Sequence, residues 1–375
     1  MAATTYRPVR AEIDLDAIRV NVRTLAGVAS PAALMAVVKA DGYGHGAVPV
    51  ARAALDAGAQ WLGVALVEEG AELRAAGIDA PVLVLSEPPP PAAPAVVALG
   101  LTPVAYTRPG IDALAKAVAD SGADPLPVHL KVDTGMHRVG CADTEACALA
   151  KSIATRDELR LEGVLTHFAV ADEPDDPYTP QQLDRFDTVL DDLRRAGLAF
   201  DLVHAANSAA LLEFTERARY DLVRCGIAVY GLPPAPGLAG GMPLRPAMAV
   251  KARVSHVKRL PAGARLSYGL RYTMPREGTV ATVPVGYADG VPRALSATGG
   301  EVLVRGRRHP IAGTVTMDQL MVDVGDATVE VGDEVVLLGR DGDAEITADE
   351  WADRLGTIGY EIVCGIGRRV PRTYV

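Results

Sequence analysis

Eight short apolar runs alternate with helix-like stretches over the first part of the chain. The helix-like stretches are rich in Ala, Leu and charged residues, as in AVPVARAALDA and QQLDRFDTVLDDLRRA. Strands that alternate with helices pair in parallel, and eight such units predict a (β/α)8 barrel. A doubly wound open sheet is the alternative, but it favours an early GxGxxG loop, which GYGHG does not match. The apolar runs occupy residues 34–40, 61–66, 82–85, 102–106, 127–132, 161–167, 201–205 and 221–225.

The sequence pattern changes near residue 231. The stretch GLPPAPGLAGGMPLRP, residues 231–246, is dense in Gly and Pro and predicts a linker or an irregular crossover. Beyond it, short alternating runs separated by Gly, Asp and Pro predict a mainly antiparallel β domain, with one helix in ITADEWADRLG. We therefore predict a barrel domain over residues 12–235 and a β-rich domain over residues 236–375.

Composition excludes several classes of function. The chain has 375 residues and a net charge of -10, which argues against binding to nucleic acids or anionic membranes, because both need basic patches. Its four cysteines show no metal-binding spacing and are typical of reduced thiols. The first residues lack the apolar region of a signal peptide, and no apolar stretch has the length of a membrane span. We expect a soluble, cytoplasmic protein.

Polar and cationic residues follow the predicted barrel strands, where barrel enzymes carry their chemistry. Lys39 ends the first strand, and a buried lysine has a lowered pKa and becomes a nucleophilic amine suited to a Schiff base. Taken together, the strand-end residues are too basic for a metal site and suit an anionic ligand beside a reactive lysine. The other strand-end residues are Lys131, Asp133, His137, Arg138, His167, Asn207, Ser208, Arg224, Gly226 and Ile227.

Phosphate is the natural anion for this set. Barrels often bind phosphate in the loops after strands seven and eight, through backbone amides and a helix N-terminus. Ser208 begins a helical run, so we expect its hydroxyl to contact the phosphate and to cap the helix, while Gly226 permits close approach. Tyr43 is a further phosphate donor. A phosphate beside an amine-forming lysine indicates pyridoxal 5'-phosphate (PLP).

Arg224 is predicted to lie near the pyridine ring of that cofactor. An arginine stays charged and only donates hydrogen bonds, so it leaves the ring nitrogen unprotonated, which favours simple return of a proton over elimination or transamination. His167 is expected to hydrogen-bond and orient Arg224, although a core histidine is an equal alternative. Inversion at an α-carbon needs an acid–base group on each face, and Tyr268 complements Lys39 if neighbouring cations lower its pKa; packing is its alternative role.

These motifs resemble the alanine racemase family. AVVKADGYGHG is similar to its PLP-attachment motif, and KVDTGMHRVG, VRCGIAVYG, SYGLRY, VPVGYADG and GTIGYEIVCGIGRRVPR resemble later family motifs in the same order. The resemblance implies a PLP-dependent enzyme that interconverts L-alanine and D-alanine and supplies D-alanine for peptidoglycan. It also implies a homodimer with active sites shared across the interface, and residues 1–11 paired with the C-terminal domain.

The same resemblance implies a role for each motif residue. Lys39 is the Schiff-base lysine and the base for the D-face, and Tyr268 of the second subunit is the base for the L-face. Lys131 corresponds to a lysine that some members carry as a carbamate. The implied cofactor and substrate contacts are Tyr43, Ser208, Gly226, Ile227 and Tyr360 for the phosphate, Arg224 with its neighbour His167 for the ring nitrogen, and Arg138 with the partner's Met317 for the substrate carboxylate.

Three other interpretations compete with this one. A PLP amino-acid decarboxylase shares the architecture, but it uses an interface cysteine and an acidic ring partner, which Arg224 and Tyr268 contradict. A non-catalytic PLP-binding homeostasis protein would lack the C-terminal β domain. A structural or interaction protein built on a barrel would carry no cofactor and would be colourless.

Overall fold

The computed structural model of the chain describes residues 6–235, 237, 238 and 242–375. It contains two compact units. The barrel unit comprises Ile18–Gly42 and Ala47–Arg245, and the β-rich unit comprises Met1–Ala17, Tyr43–Gly46 and Pro246–Val375. Four residues of the predicted linker, at positions 236 and 239–241, lie outside the described residues.

Parallel strands form the barrel unit in the predicted order. Among the first seven strands, each pairs with the next along the chain, and the eighth pairs with the first. The seventh and eighth strands are joined by bonds from the Asp221 amide to the Val203 carbonyl and from the Arg224 amide to the Ala206 carbonyl, both 3.0 Å. The predicted barrel is thereby confirmed. Its strands are Ala33–Val37, Trp61–Val64, Val82–Val84, Thr102–Ala105, Leu126–Asp133, Leu159–Leu165, Leu202–His204 and Leu222–Cys225, and Cys141–Ala142 pairs with the fifth.

Amphipathic helices connect these strands. In Tyr178–Arg195 the buried positions Leu183, Phe186, Leu190 and Leu193 recur every three or four residues, which is the spacing of one helix face. Burial of each such side chain contributes about 1.5–3 kcal/mol. The helices are Leu15–Ala29, Ala47–Asp56, Val67–Ala75, Ala93–Ala98, Arg108–Ser121, Asp143–Ala154, Tyr178–Arg195, Ser208–Glu213 and Thr215–Ala218.

The β-rich unit is mainly antiparallel, as predicted. Its largest sheet includes Val9–Ile13, which pairs antiparallel with Met248–Arg253 and parallel with Arg372–Tyr374. The other strands of that sheet are Glu301–Val304, Arg307–Pro310, Glu334–Asp341 and Ala344–Ile346. A second sheet contains His256–Leu260, Gly278–Val283 and Leu320–Gly325, and a short ribbon joins Arg265–Leu266 to Tyr272–Thr273.

Two helices lie near the end of the β-rich unit. Ala348–Leu355 is the predicted helix, and Thr347 caps it by accepting a hydrogen bond from the Glu350 amide. Gly359–Gly365 was not predicted, because the glycines around it obscure its helical pattern. None of the helices in the described part of the chain has both the length and the apolar character that a membrane span needs.

Candidate active site

Lys39 lies at the carboxyl end of the first barrel strand, next to a strained turn. Val38 still donates a 2.8 Å hydrogen bond to the Gly63 carbonyl of the second strand. The next residues, Ala40, Asp41 and Gly42, are left-handed, with φ of 54°, 53° and 58°. Only Gly42 adopts this conformation without cost, and each of the other two costs about 1–2 kcal/mol. The surrounding contacts must therefore hold this turn in place.

Two carboxylates supply those contacts, one from Glu69 and one from Asp41 within the turn. The Ala40 amide donates a 2.7 Å hydrogen bond to Oε1 of Glu69. Asp41 Oδ1 accepts a 3.0 Å bond from the Ala47 amide, which ties the turn to the first residue of the next helix. The backbone on the C-terminal side of Lys39 is thus held by two acidic side chains.

A cluster of cations surrounds Lys39. Lys131 is buried in the fifth strand, and its Nζ donates a 3.1 Å bond to the Leu85 carbonyl. Burial, followed by the charges of Arg224, Arg138 and Lys39, lowers the pKa of Lys131 to about 8. Four cationic side chains are therefore close enough to affect one another, which is the arrangement expected around an anionic ligand.

Arg224 is buried in the eighth strand and makes several hydrogen bonds. Its Nη2 donates to the carbonyls of Thr166 (2.8 Å) and Ala205 (2.9 Å) and to Nδ1 of His167 (3.1 Å). The predicted bond to His167 is thus present. Its Nη1 donates to Nδ1 of His204 at 3.0 Å. Among the described residues, no acceptor binds Nε of Arg224, so this N–H remains for a ligand.

Burial also determines the charge states in this cluster. It lowers the pKa of Arg224 to about 10, which leaves the guanidinium charged at neutral pH. Burial, followed by the charge of Arg224, holds the pKa of His167 well below its usual range. His167 is therefore neutral, and its Nδ1 lone pair accepts the bond from Arg224.

Arg138 lies on an exposed loop after the fifth strand. Asp133 Oδ1 accepts bonds from the amides of Gly135 (2.9 Å) and His137 (3.0 Å). The Tyr178 hydroxyl donates a 3.0 Å bond to the Gly135 carbonyl. These contacts hold the loop, while the Arg138 guanidinium makes no hydrogen bond to the described residues.

The predicted phosphate contacts after strands seven and eight lie together. Ser208 Oγ accepts a 3.0 Å bond from the Gly226 amide, and Ile227 follows as a buried residue. The prediction that Ser208 caps its helix is wrong. Asn207 is the N-cap, and its side chain accepts a 2.9 Å bond from the Ala210 amide. Asn207 precedes the helix with extended backbone, which an N-cap requires, whereas Ser208 is already helical.

The remaining predicted site residues belong to the β-rich unit. The rings of Tyr43 and Tyr360 lie 6.2 Å apart between centroids. Tyr268 is 72% exposed and Met317 is 50% exposed. The Thr314 hydroxyl donates a 2.9 Å bond to the Tyr268 carbonyl, and the Ala288 amide donates a 3.1 Å bond to the Met317 carbonyl. The backbone of both residues is thus anchored, while both residues are exposed to solvent.

Sequence reasoning missed three polar residues that support this cluster, Glu69, His129 and His204. The two histidines lie within apolar barrel strands and are fully buried. A histidine inside a buried apolar strand was the available signal, because a buried polar side chain requires a hydrogen-bond partner. Across the described ranges, no group of three or more His, Cys, Asp or Glu side chains is arranged to hold a metal ion.

The residues of the barrel unit fit PLP. The half-buried amine of Lys39 suits a Schiff base, and the surrounding cations suit the phosphate and carboxylate charges. The Nε–H of Arg224 suits an acceptor such as an unprotonated ring nitrogen. The hydroxyl of Ser208 accepts a bond from the Gly226 amide and also contacts the Cys225 thiol, and a hydroxyl both accepts and donates.

Comparisons with known proteins agree with this arrangement. Residues 13–234 match the family model of the alanine racemase N-terminal domain, and residues 247–374 match that of the C-terminal domain. An alanine racemase from Symbiobacterium thermophilum is 54% identical over 98% of this chain and 97% of its own length. One from Thermobifida fusca is 50% identical over 97% of each chain. The match to both domains favours this family over the competing interpretations.

Solved structures give the same result. Alanine racemase from the D-cycloserine producer Streptomyces lavendulae has a TM-score of 0.93 and 43% identity, covering 99% of this chain and 98% of that one. The Bacillus anthracis alanine racemase with bound L-Ala-P has a TM-score of 0.93 and 40% identity, covering 100% of this chain and 96% of that one. In the sequence of both domains and in fold, this chain belongs to the alanine racemase family.

Proposed function

We propose that this protein interconverts L-alanine and D-alanine with PLP bound at Lys39. The observation that carries the proposal is the position of Lys39 among Lys131, Arg138 and Arg224, in a chain that matches alanine racemases over almost its full length. A reactive amine among fixed cations suits a phosphorylated cofactor and an amino acid carboxylate.

The residues proposed to hold the cofactor follow the family motifs. Lys39 would hold the cofactor as a Schiff base, and Arg224 would donate from Nε to its ring nitrogen, with His167 orienting Arg224. When bound, PLP supplies an electron sink that makes the α-proton of the amino acid acidic. The proposed phosphate contacts are Tyr43, Ser208, Gly226, Ile227 and Tyr360.

Two bases on opposite faces of the α-carbon move the proton. Nζ of Lys39 removes or returns it on the D-face, and Oη of Tyr268 does so on the L-face. Arg224 holds no transferable proton at neutral pH, because its guanidinium stays charged. It therefore leaves the ring nitrogen unprotonated, which favours return of the proton to the α-carbon. Arg138 and the backbone of Met317 bind the substrate carboxylate.

Tyr268 and Met317 are proposed to act from a second copy of this chain. Four large side chains in one region of the β-rich unit are exposed, namely Tyr268 (72%), Leu270 (47%), Tyr287 (41%) and Met317 (50%). The segment 314–317 connects three of them, because it contains Met317, Thr314 bonds to Tyr268, and the Tyr287 amide donates a 3.0 Å bond to the Thr316 carbonyl. Such a cluster of exposed apolar side chains is typical of an interaction surface, which supports a homodimer with shared active sites.

Lys131 is proposed to carry a carbamate. With a pKa of about 8, roughly a quarter of its amine is neutral at pH 7.5, and only the neutral amine attacks carbon dioxide. The N–C bond forms with loss of one proton, and the product is an anion among Arg138, Arg224 and Lys39. Incubation with 13C-bicarbonate should give a labelled, acid-labile lysine. A protein that retains no label before acid treatment would overturn this assignment.

The deciding experiment uses purified, PLP-loaded protein with L-alanine in deuterated water. Chirality, α-deuterium and released carbon dioxide are followed together. We expect α-deuterated D-alanine without carbon dioxide. Release of carbon dioxide would instead indicate a decarboxylase, and absence of exchange would mean that alanine is the wrong substrate.

Three further predictions concern the domains, the biological role and the location of this protein. We propose functional domains over residues 12–235 and 236–375, with residues 1–11 joining the second, which the pairing of Val9–Ile13 with Met248–Arg253 supports. The supply of D-alanine for peptidoglycan follows from the proposed product. The cytoplasmic location expected from the sequence stays a prediction.

A further inference from the structure

A line of hydrogen bonds runs through the interior of the barrel unit from Arg224 to Glu162. Nη1 of Arg224 lies 3.0 Å from Nδ1 of His204. Nε2 of His204 lies 2.8 Å from Nδ1 of His129. Nε2 of His129 lies 3.1 Å from Oε2 of Glu162. Both histidines are fully buried.

The two ends of this line determine the direction of every bond. An arginine only donates and an ionised carboxylate only accepts. Nδ1 of His204 must therefore accept from Arg224, so His204 carries its proton on Nε2 and donates to His129. His129 in turn accepts at Nδ1 and donates from Nε2 to Glu162. Protonation of either ring would place two N–H donors against each other.

Burial and charge favour the same protonation states. Burial, followed by the charge of Arg224, holds the pKa of His204 well below its usual range. Burial also lowers the pKa of His129. Burial alone would raise the pKa of Glu162, but the hydrogen bonds from His129 and Arg160 hold it below its usual value. Two neutral imidazoles thus connect a buried cation to an anion.

The barrel is shaped to accommodate His129. The pairing between the fifth and sixth strands shifts register between Val128 and His129, and such irregularities redirect side chains. Gly163 is the residue opposite His129, and a Cβ there would lie 2.7 Å from Nδ1 of the His129 ring. The ring centroids of Trp61 and His204 lie 5.7 Å and 5.0 Å from that of His129. Any larger residue at position 163 would displace the imidazole.

The outer end of the line is anchored by a surface ion pair. Arg160 donates a 2.7 Å bond to Oε1 of Glu162 through Nη2, and a 2.9 Å bond to Oδ2 of Asp201 through Nη1. Oε2 of Glu162 remains available for His129. Asp201 is 73% exposed on its side chain and makes no contact with the histidines, so it serves as a matched control for Glu162.

We propose that Glu162, His129 and His204 form a positioning chain that fixes the orientation of Arg224, and through it the environment of the ring nitrogen of the cofactor. This inference rests on the proposed function, because the ring nitrogen belongs to PLP. Nη1 and Nη2 of Arg224 are both held by the protein, so Nε is presented to the ligand in one orientation. Glu162 supplies the negative charge that balances Arg224, although two histidines separate it from Arg224.

The first test reads the tautomers of the wild-type protein by NMR of 15N-histidine in the PLP-loaded enzyme without substrate. His129 and His204 are identified by comparison with His129→Gln and His204→Gln. Both rings should be neutral and protonated on Nε2 between pH 6 and pH 8. A ring protonated on Nδ1, or an imidazolium, would overturn the chain. This result does not depend on racemase activity.

The second test compares Glu162→Gln with Asp201→Asn, since each removes one carboxylate that pairs with Arg160. If Arg224 loses its fixed orientation, a side reaction should increase in which the amino group of alanine would be transferred to the cofactor and one water would release pyruvate. We expect the ratio of pyruvate formed to alanine racemised to rise about tenfold in Glu162→Gln, the size of one charged hydrogen bond. Asp201→Asn should keep the wild-type ratio.

The outcomes separate this inference from the proposed function. Racemisation by the wild type with equal pyruvate ratios in the two variants would overturn the positioning chain and leave the function intact. If the wild type racemises no alanine, the tautomers still test the chain. If Glu162→Gln does not fold, His204→Asn replaces it, because Asn retains an acceptor for Arg224 but breaks the link to His129, and the same tenfold rise is expected.

Discussion

Oε1 of Glu69 accepts a 2.7 Å hydrogen bond from the amide of Ala40, the residue that follows Lys39. The other oxygen of this carboxylate accepts bonds from the amides of Ala65 (2.7 Å) and Leu66 (3.2 Å), at the start of the helix Val67–Ala75. One side chain therefore fixes both a helix N-terminus and the backbone beside the reactive lysine. Glu69 is a positioning residue for Lys39.

Glu69→Gln should destabilise the protein and weaken its activity. A glutamine offers one acceptor oxygen and would set its amide donors against backbone N–H groups. We expect the free energy of unfolding to fall by about 1.5–3 kcal/mol and kcat to fall more than KM changes, measured by urea unfolding and racemase assays. Glu68→Gln, an exposed neighbour in the same helical turn, is the control. Equal effects of the two substitutions would contradict this role.

Ala40→Gly should stabilise the fold or leave its stability unchanged. Ala40 has φ 54° and ψ 50°, and glycine relieves about 1–2 kcal/mol of strain there at a cost of about 0.5–1 kcal/mol in the unfolded chain. Ala53→Gly in the helix Ala47–Asp56 should instead lower the free energy of unfolding by about 1 kcal/mol or more. Urea unfolding compares the two variants. An equal loss of unfolding free energy in both would mean that the turn at Ala40 is not left-handed.

Tyr268→Phe should remove the base that acts on the L-face of the α-carbon and leave the base on the D-face in place. The equilibrium constant between the enantiomers is one, so kcat/KM for racemisation must fall equally in both directions. Exchange without inversion distinguishes the bases: D-alanine should still exchange its α-proton with deuterated water through Lys39, whereas L-alanine should not. Tyr272→Phe is the control, because the Tyr272 hydroxyl donates to Asp323 within the β-rich unit. Normal exchange of both enantiomers in Tyr268→Phe would refute the two-base scheme.

Mixing two inactive variants should restore activity. Lys39→Ala lacks the cofactor-linking amine and Tyr268→Phe lacks the second base, so each alone should be nearly inactive. In a mixed dimer with shared sites, one site receives both native residues and the other receives neither. After subunit exchange at equal concentrations we expect about a quarter of wild-type activity, because half of the dimers are mixed. If the mixture is no more active than the two variants added together, Tyr268 and Lys39 either act from the same subunit or do not belong to one site.

The stability contribution of Lys131 should depend on pH. Its pKa is lowered from 10.5 in the unfolded chain to about 8 by burial and neighbouring cations, so between these values the unfolded state binds more protons. The free energy of unfolding should therefore rise with pH in this window, by up to about 3 kcal/mol relative to Lys131→Met, in buffer free of carbon dioxide.

Urea unfolding of both proteins at pH 8 and pH 10 measures this difference. Lys116→Met is the control, since Lys116 is 74% exposed on its side chain and pairs with Asp120 on the surface. Added bicarbonate should reduce the difference, because a carbamate does not titrate as an amine. A pH slope that is identical in wild type and Lys131→Met would show that Lys131 is not buried as a cation.

Local patterns in the sequence were sufficient to predict most of the architecture. The eight barrel strands, the antiparallel character of the second unit and the position of Lys39 at a strand end all follow from hydrophobic periodicity, which depends on neighbouring residues only. The bond between Arg224 and His167 also followed, because parallel strands bring their carboxyl ends together. By contrast, the prediction that Ser208 caps its helix is wrong, because the choice between two adjacent polar residues depends on backbone angles that composition does not reveal.

The sequence by itself determined which residue types stand at the strand ends, and therefore the chemistry available to this protein. Only the tertiary structure decided which distant residues meet. Glu162, His129 and His204 lie on three different strands, and closure of the barrel brings them into one line with Arg224. The strand Val9–Ile13 likewise finds partners near the other end of the chain. Contacts of this kind depend on packing and strand register between segments far apart in the sequence, for which no local pattern carries a signal.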